Sequence, residues 1–139
     1  MKQELKNAYE KVSTGTELRA GLIEMKNLLK EEKNRRELAY QLGGDFKILT
    51  RCLSDEDPKV RKNAALVLGA MESDDLVPML LNAYKKEDTL FVKSAYLKAL
   101  FDLDYEEELP YLKERLQELD ETPVTEENQK HLREEAGIL

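Results

Sequence analysis

Few residues in this chain could do chemistry. There is one histidine, His131, and one cysteine, Cys52, whereas acid–base or nucleophilic catalysis needs such a group beside a second, activating one. His131 has company, because Glu127, His131 and Glu135 recur at every fourth residue and would share one face of a helix. A lone helix with acids at this spacing is expected to be a solvated charged face, so no metal and no other cofactor is expected. Glu106-Glu107-Glu108 is read similarly, as acids that complement the dipole of a first helical turn. Gly43-Gly44 is no phosphate loop, since neither Gly-x-Gly-x-x-Gly nor Gly-x-x-x-x-Gly-Lys occurs. Cys52 stands with Ile48, Leu49 and Leu53 and is expected to be a small buried hydrophobe. The reading is of a chain with no catalytic residue and no small-molecule substrate, hence not an enzyme.

The elements that carry these residues are helical. The 139 residues are 37% charged and 41% apolar with 6 Gly and 4 Pro, too apolar to stay disordered and numerous enough to bury one core without disulfides. No apolar run reaches the roughly 18 residues of a membrane span, and Met1-Lys2-Gln3-Glu4-Leu5-Lys6 lacks the apolar stretch of a secretory signal. With a single cysteine there is no internal disulfide, and a cytoplasmic location and no membrane partner are expected. The net charge of −7 is uneven: residues 1–62 hold 14 Lys/Arg against 11 Asp/Glu, residues 63–139 hold 8 against 18. An acidic total disfavours general nucleic-acid binding, although it leaves room for a basic stripe in the first half.

The chain repeats itself. Val60-Arg61-Lys62-Asn63-Ala64-Ala65-Leu66-Val67-Leu68-Gly69-Ala70-Met71 matches, 32 residues on, Val92-Lys93-Ser94-Ala95-Tyr96-Leu97-Lys98-Ala99-Leu100-Phe101-Asp102-Leu103. The same shift carries Leu76-Val77-Pro78-Met79-Leu80 onto Glu108-Leu109-Pro110-Tyr111-Leu112, and Arg35 to Gly43 matches Arg61 to Gly69 at a shift of 26. Within a copy, Val60, Ala64, Leu68 and Met71 recur at helical steps. Asp57 and Pro58 supply a cap and a first helical residue. Gly43-Gly44 and Gly69 lie where a left-handed residue can close a last turn, and Ser73-Asp74-Asp75, Asp104 and Thr125 are further caps. The helices are expected at 2–12, 16–31, 34–42, 45–53, 58–71, 75–86, 90–102, 106–119 and 125–136. Tyr84, Tyr96, Phe101 and Tyr111 fall at helical spacing and are expected in the core.

A first helix with an internal Pro (Pro78, Pro110), the turn Asp55 to Arg61 reading Asp-x-Asp-Pro-x-Val-Arg, and a second helix reading Ala-Ala-x-x-Leu-Gly (Ala64 to Gly69) together resemble HEAT repeats, the armadillo/HEAT-like α-solenoid family in its short bacterial form. The resemblance runs over roughly residues 16–136, with the full signature in the copy from Gly44 to Met71. It implies an all-α fold, a right-handed α-α superhelix of about four helical hairpins that stack because one hairpin alone cannot bury its apolar face. The whole chain is then one domain, with an N-terminal helix at 2–12 and hairpins at about 16–43, 44–71, 75–103 and 105–136. It also implies that Asp57, Pro58 and Arg61 are turn architecture tying neighbouring hairpins; in the next copy Lys93 stands where Arg61 does. HEAT-like families that act on DNA bases or attach bilins fit poorly, for there is no Trp and little room for a cleft.

What remains is surface. Opposite the core stripe of the second helices lie Lys33, Arg36 and Tyr40, then Lys59, Lys62 and Leu66, then Phe91, Ser94 and Lys98. This basic ridge with apolar interruptions would suit an acidic amphipathic protein segment, with apolar anchors and steering charges. It would also suit RNA, with Tyr40 stacking on a base. The first expectation is a non-catalytic scaffold or adaptor that binds protein through this ridge. The second is the N-terminal accessory domain of a larger nucleic-acid-modifying enzyme such as an RNA methyltransferase, suggested by the uncapped apolar ending Gly137-Ile138-Leu139.

Overall fold

The computed structural model describes residues 3–103, and among them every regular element is helical. Helix α1 (Gln3–Thr14) buries Leu5, Ala8 and Val12, spaced three and four apart as one stripe of a helix must be. Helix α2 (Leu18–Leu28) buries Gly21, Leu22 and Met25. Helix α3 (Glu32–Leu42) buries only Asn34, Leu38 and Leu42, a narrow line on an otherwise charged surface. It stops at Gly43, whose amide still donates to the Ala39 carbonyl and whose positive φ of 59° turns the following chain out of the helix. The helix expected at 45–53 is two pieces, α4 (Lys47–Thr50) and a 3-10 turn (Arg51–Ser54). Helix α5 (Pro58–Gly69) follows, then a 3-10 turn (Asp74–Leu76), α6 (Val77–Lys86) and α7 (Leu90–Asp102). The expected helices and hairpin after residue 103, with the caps Asp104 and Thr125 and the residues Tyr111, His131 and the acids around them, lie outside the described residues.

Packing organises the helices into a solenoid. Helices α2, α5 and α7 lie side by side as one layer, most closely between α5 and α7. Against that layer α1 backs α2, α4 and the 3-10 turn Arg51–Ser54 back α5, and α6 backs α7. The α2 helix therefore pairs with α1 and α5, whereas the repeat pattern pairs the 16–31 helix with the 34–42 helix. A layer helix needs apolar surface on two sides: α5 buries seven of its residues and α7 eight. The stripe of α3 is too narrow for that role, and α3 adds Leu38 and Leu42 to the core without lying close along another helix.

Three expectations are corrected at this level. Gly69 is no left-handed cap but a buried point of near approach: a Cβ there would stand 2.6 Å from Ala99 Cα. That missing side chain lets α5 and α7 approach. Ser73 has the extended backbone of a cap, but its side chain makes no capping bond. Tyr84 and Tyr96 are buried, whereas Phe101 is 57% exposed on the far flank of α7.

Candidate binding face and the ladder that positions it

The face is held in place by a ladder of turns. Asp57 has extended backbone and its Oδ1 accepts the Lys59 amide at 2.8 Å, while Pro58 fills the first helical position, where an amide would have no partner. Asp55 Oδ1 accepts the Asp57 amide at 2.8 Å. Arg61 then spans two turns. Its Nη1 donates to the carbonyls of Asp55 (2.8 Å) and Glu56 (3.1 Å), and its Nε and Nη2 donate to the Glu87 carboxylate at 2.9 and 3.1 Å. Glu87 also accepts the Thr89 amide at 3.1 Å. The bidentate bond to Glu87 pushes the Arg61 pKa up, against the opposing effect of burial. Burial chiefly, with Glu87 close by, pushes the Tyr96 phenol up.

Arg35 repeats the tie one copy earlier, donating to the Leu29 (2.8 Å) and Lys30 (3.2 Å) carbonyls and approaching Glu72 at 3.2 Å. Beside it Asn34 donates to the Leu28 carbonyl at 2.7 Å. Lys93, at the corresponding place on α7, instead puts its ammonium 5.4 Å from the centre of the Tyr84 ring. Arg51 ties the back layer, donating to the Val12 and Ser13 carbonyls at the end of α1. Sequence reasoning did not single out Glu87, although a shift of 32 places it on Asp55 and Thr89 on Asp57.

The ridge residues are not all surface. Lys33, Arg36 and Tyr40 are exposed on α3, Tyr40 at 89%, and Arg36 is paired with Glu32 at 2.7 Å. Lys59, Lys62 and Leu66 are half-buried on α5. Phe91 is buried rather than exposed, and the Lys59 ammonium lies 4.5 Å from its ring centre. Ser94 is buried too, donating to the Leu90 carbonyl. Lys98 pairs with Asp102 at 2.8 Å. The structure therefore brings Lys59, Lys62, Leu66 and Lys98 onto the adjoining helices α5 and α7. It does not pack the α3 group beside them, because the neighbour of α5 on its other side is α2.

From α2 and the turn after it come two lysines that sequence reasoning overlooked. Lys26 Nζ lies 3.3 Å from Asn63 Oδ1. Burial first, then the nearby charges of Lys62 and Lys30, hold the Lys26 pKa below its ordinary value. The available signal was the spacing of Ile23, Lys26 and Lys30 along one helix face.

Among the described residues, the groups that could do chemistry are engaged in the fold. Cys52 is buried, bonded to the Ile48 carbonyl, and burial raises its pKa, the reverse of an activated thiol. An open groove of about 520 Å³ between the Arg51–Ser54 turn and α6 is lined by Asp55, Arg61, Glu87 and Tyr96, and its central charges are already engaged in the ladder. Among the described residues no cluster of His, Cys, Asp and Glu is arranged to hold a metal, and no helix is long and apolar enough to cross a membrane.

Comparison with curated proteins returns no match, and comparison with solved structures returns none. The family model for HEAT repeats matches residues 46–130. That span is more than half of the chain, and it contains the Asp57 cap, the Arg61 ladder and the close α5–α7 packing. The chain belongs to the HEAT-repeat family.

Proposed function

We propose that this protein is a non-catalytic scaffold that holds another protein on the exposed face of its layer helices. HEAT repeats are generally protein-interaction scaffolds. The observation that carries the reading is the division between ladder and face. Asp55, Arg61 and Glu87 are consumed in positioning the turns, while α5 presents Lys59, Lys62 and Leu66 and contains no acid at all. A surface with apolar positions among cations steers and anchors a protein segment.

Affinity capture from lysate, with and without nuclease, tests it. Wild-type protein is expected to retain a protein partner after nuclease treatment, and replacing Lys62 and Lys98, on the layer helices, together by Glu is expected to abolish capture without changing helical content. Unchanged capture by that variant would sink the reading. Capture of RNA, lost on nuclease treatment, would instead favour the accessory domain of a nucleic-acid-modifying enzyme.

A further inference from the structure

We infer that the segment held on this face is acidic and part apolar, and that it seats across α2 and α5 on Lys26, Lys30 and Lys62, with Ile23 and Leu66 as its apolar contacts. The inference rests on the scaffold reading and gives the partner a chemistry and a place.

Geometry places the five residues on adjoining helices, with Lys62 and Lys30 close enough to Lys26 for their charges to act on it. Ile23, Lys26 and Lys30 recur at steps of three and four along α2 and the turn after it, and Lys62 and Leu66 stand four apart on α5, so each set shares a face. The two helices are neighbours in the layer. Lys26 reaches across their junction to Asn63, the residue after Lys62. Ile23 is 38% exposed, an apolar side chain left toward solvent beside cations.

Charge identifies the occupant. The three layer helices carry Arg19, Lys26, Lys59, Arg61, Lys62, Lys93 and Lys98 against only Glu24 and Asp102, within a chain whose net charge is −7. Both of those acids are already taken, Glu24 by Lys11 at 2.8 Å and Asp102 by Lys98 at 2.8 Å. Among the described residues Lys26, Lys30 and Lys62 form no ion pair, and their mutual repulsion is unrelieved within the fold. An incoming carboxylate would relieve it and would meet a partly desolvated ammonium at Lys26, where attraction is stronger than in open water. A nucleic acid is the weaker fit, because three cations neutralise few phosphates and the rest of the molecule repels a polyanion.

The test is fluorescence anisotropy with the full 139-residue protein and a labelled helical peptide of about 16 residues built from Glu and Leu, long enough to form helix on docking. A Gln-for-Glu version of the peptide and a uridine oligonucleotide are the comparison probes, each at about 50 mM and about 0.3 M salt. The Glu peptide is expected to bind the wild type and to bind Lys26→Gln/Lys30→Gln/Lys62→Gln at least about tenfold more weakly, three modest charge contacts together giving that change. Lys30→Gln/Lys62→Gln keeps the Lys26–Asn63 bond and so separates loss of charge from loss of that contact, with an intermediate loss of binding expected. Equal binding by the triple variant, equal binding of the Gln peptide, no binding of the Glu peptide, or tighter lysine-dependent binding of the oligonucleotide would each overturn the inference. The scaffold reading fails separately: if lysate capture persists in the Lys26/Lys30/Lys62 variant, the scaffold stands and this site does not.

Discussion

Replacing Arg61 by Met removes the guanidinium and keeps most of the length of the side chain. In the native fold that group is 17% exposed and the carboxylate it grips is 6% exposed, with two short bonds between them and two more to turn carbonyls. The variant leaves Glu87 charged and buried with the Thr89 amide and the nearby Tyr96 phenol as its remaining partners. Breaking a buried pair from one side costs about 3–5 kcal/mol, and the residual amide bond and partial exposure of Arg61 place the loss near the lower figure. A domain of this size is stable by only about 5–15 kcal/mol, so the midpoint of urea unfolding should fall markedly with little change in slope. Arg36→Met provides the internal scale: its pair with Glu32 is exposed at both ends, and such pairs contribute about 0.3–0.5 kcal/mol. The double variant Arg61→Met/Glu87→Leu should recover much of the loss, because no charge is then stranded. The reasoning is refuted if Arg61→Met costs no more than Arg36→Met, or if the double variant is simply the sum of its parts.

Two further outcomes follow from the packing. Gly69→Ala places a methyl 2.6 Å from Ala99 Cα and 2.9 Å from Ala99 Cβ, about 1 Å inside the ordinary separation of carbon atoms. The overpacking costs about 1–3 kcal/mol and exceeds the gain of at most about 1 kcal/mol in helix propensity, so thermal melting should show a Tm lower by several degrees. Adding Ala99→Gly should restore only part of it, since the α7 backbone still stands in the way of the new methyl, and a raised Tm in the single variant would contradict the close approach. Cys52 and Tyr96 both have pKa values raised by burial, so each favours its neutral form in the fold. A raised folded pKa gives stability that is complete below the unfolded value, roughly 9 for the thiol and 10 for the phenol, and that is lost as pH rises from there through the folded value. Unfolding free energy should therefore be flat near neutrality and fall above about pH 9, with Cys52 reacting with a thiol reagent far more slowly in native protein than in urea; rapid native labelling would count against its burial.

Much of this architecture is legible in the sequence because stacked helices write their buried stripe at fixed steps. Val60, Ala64 and Leu68 announce α5, and Val92 and Leu100 announce α7, all five being buried. Apolar spacing reports that a stripe exists but not how many neighbours cover the helix, and that is where α3 misleads. Its match to α5 at a shift of 26 holds for the tie, Arg35 to two turn carbonyls as Arg61 to two, and fails for the position in the layer. The aromatic residues show the same limit. Periodicity points Phe91 outward and Phe101 inward, whereas the first is buried, with the Lys59 ammonium over its ring, and the second is exposed. A long neighbouring side chain can lie over a ring without leaving a mark in periodicity. The spacing of Lys26 and Lys30 puts them on one side of α2 and the turn after it, but only the packing of α2 on α5 sets them beside Lys62.

Among the described residues, the turn-tying arginines differ in chemistry from the lysines of the proposed face. Arg35, Arg51 and Arg61 each donate to two consecutive backbone carbonyls, at Leu29–Lys30, Val12–Ser13 and Asp55–Glu56. A planar fork suits two acceptors side by side, and a single ammonium does not. At the equivalent position of α7, Lys93 rests over Tyr84 instead. The cations of the face are lysines, Lys26, Lys30, Lys59 and Lys62, whose compact charges on flexible stems can follow a partner of irregular carboxylate spacing. Three arginines, Arg35, Arg51 and Arg61, fix one turn to the next, and the proposed face is built from lysines. For that reason an Arg-to-Lys exchange in the ladder should loosen the stack, whereas a Lys-to-Arg exchange on the face should leave it intact.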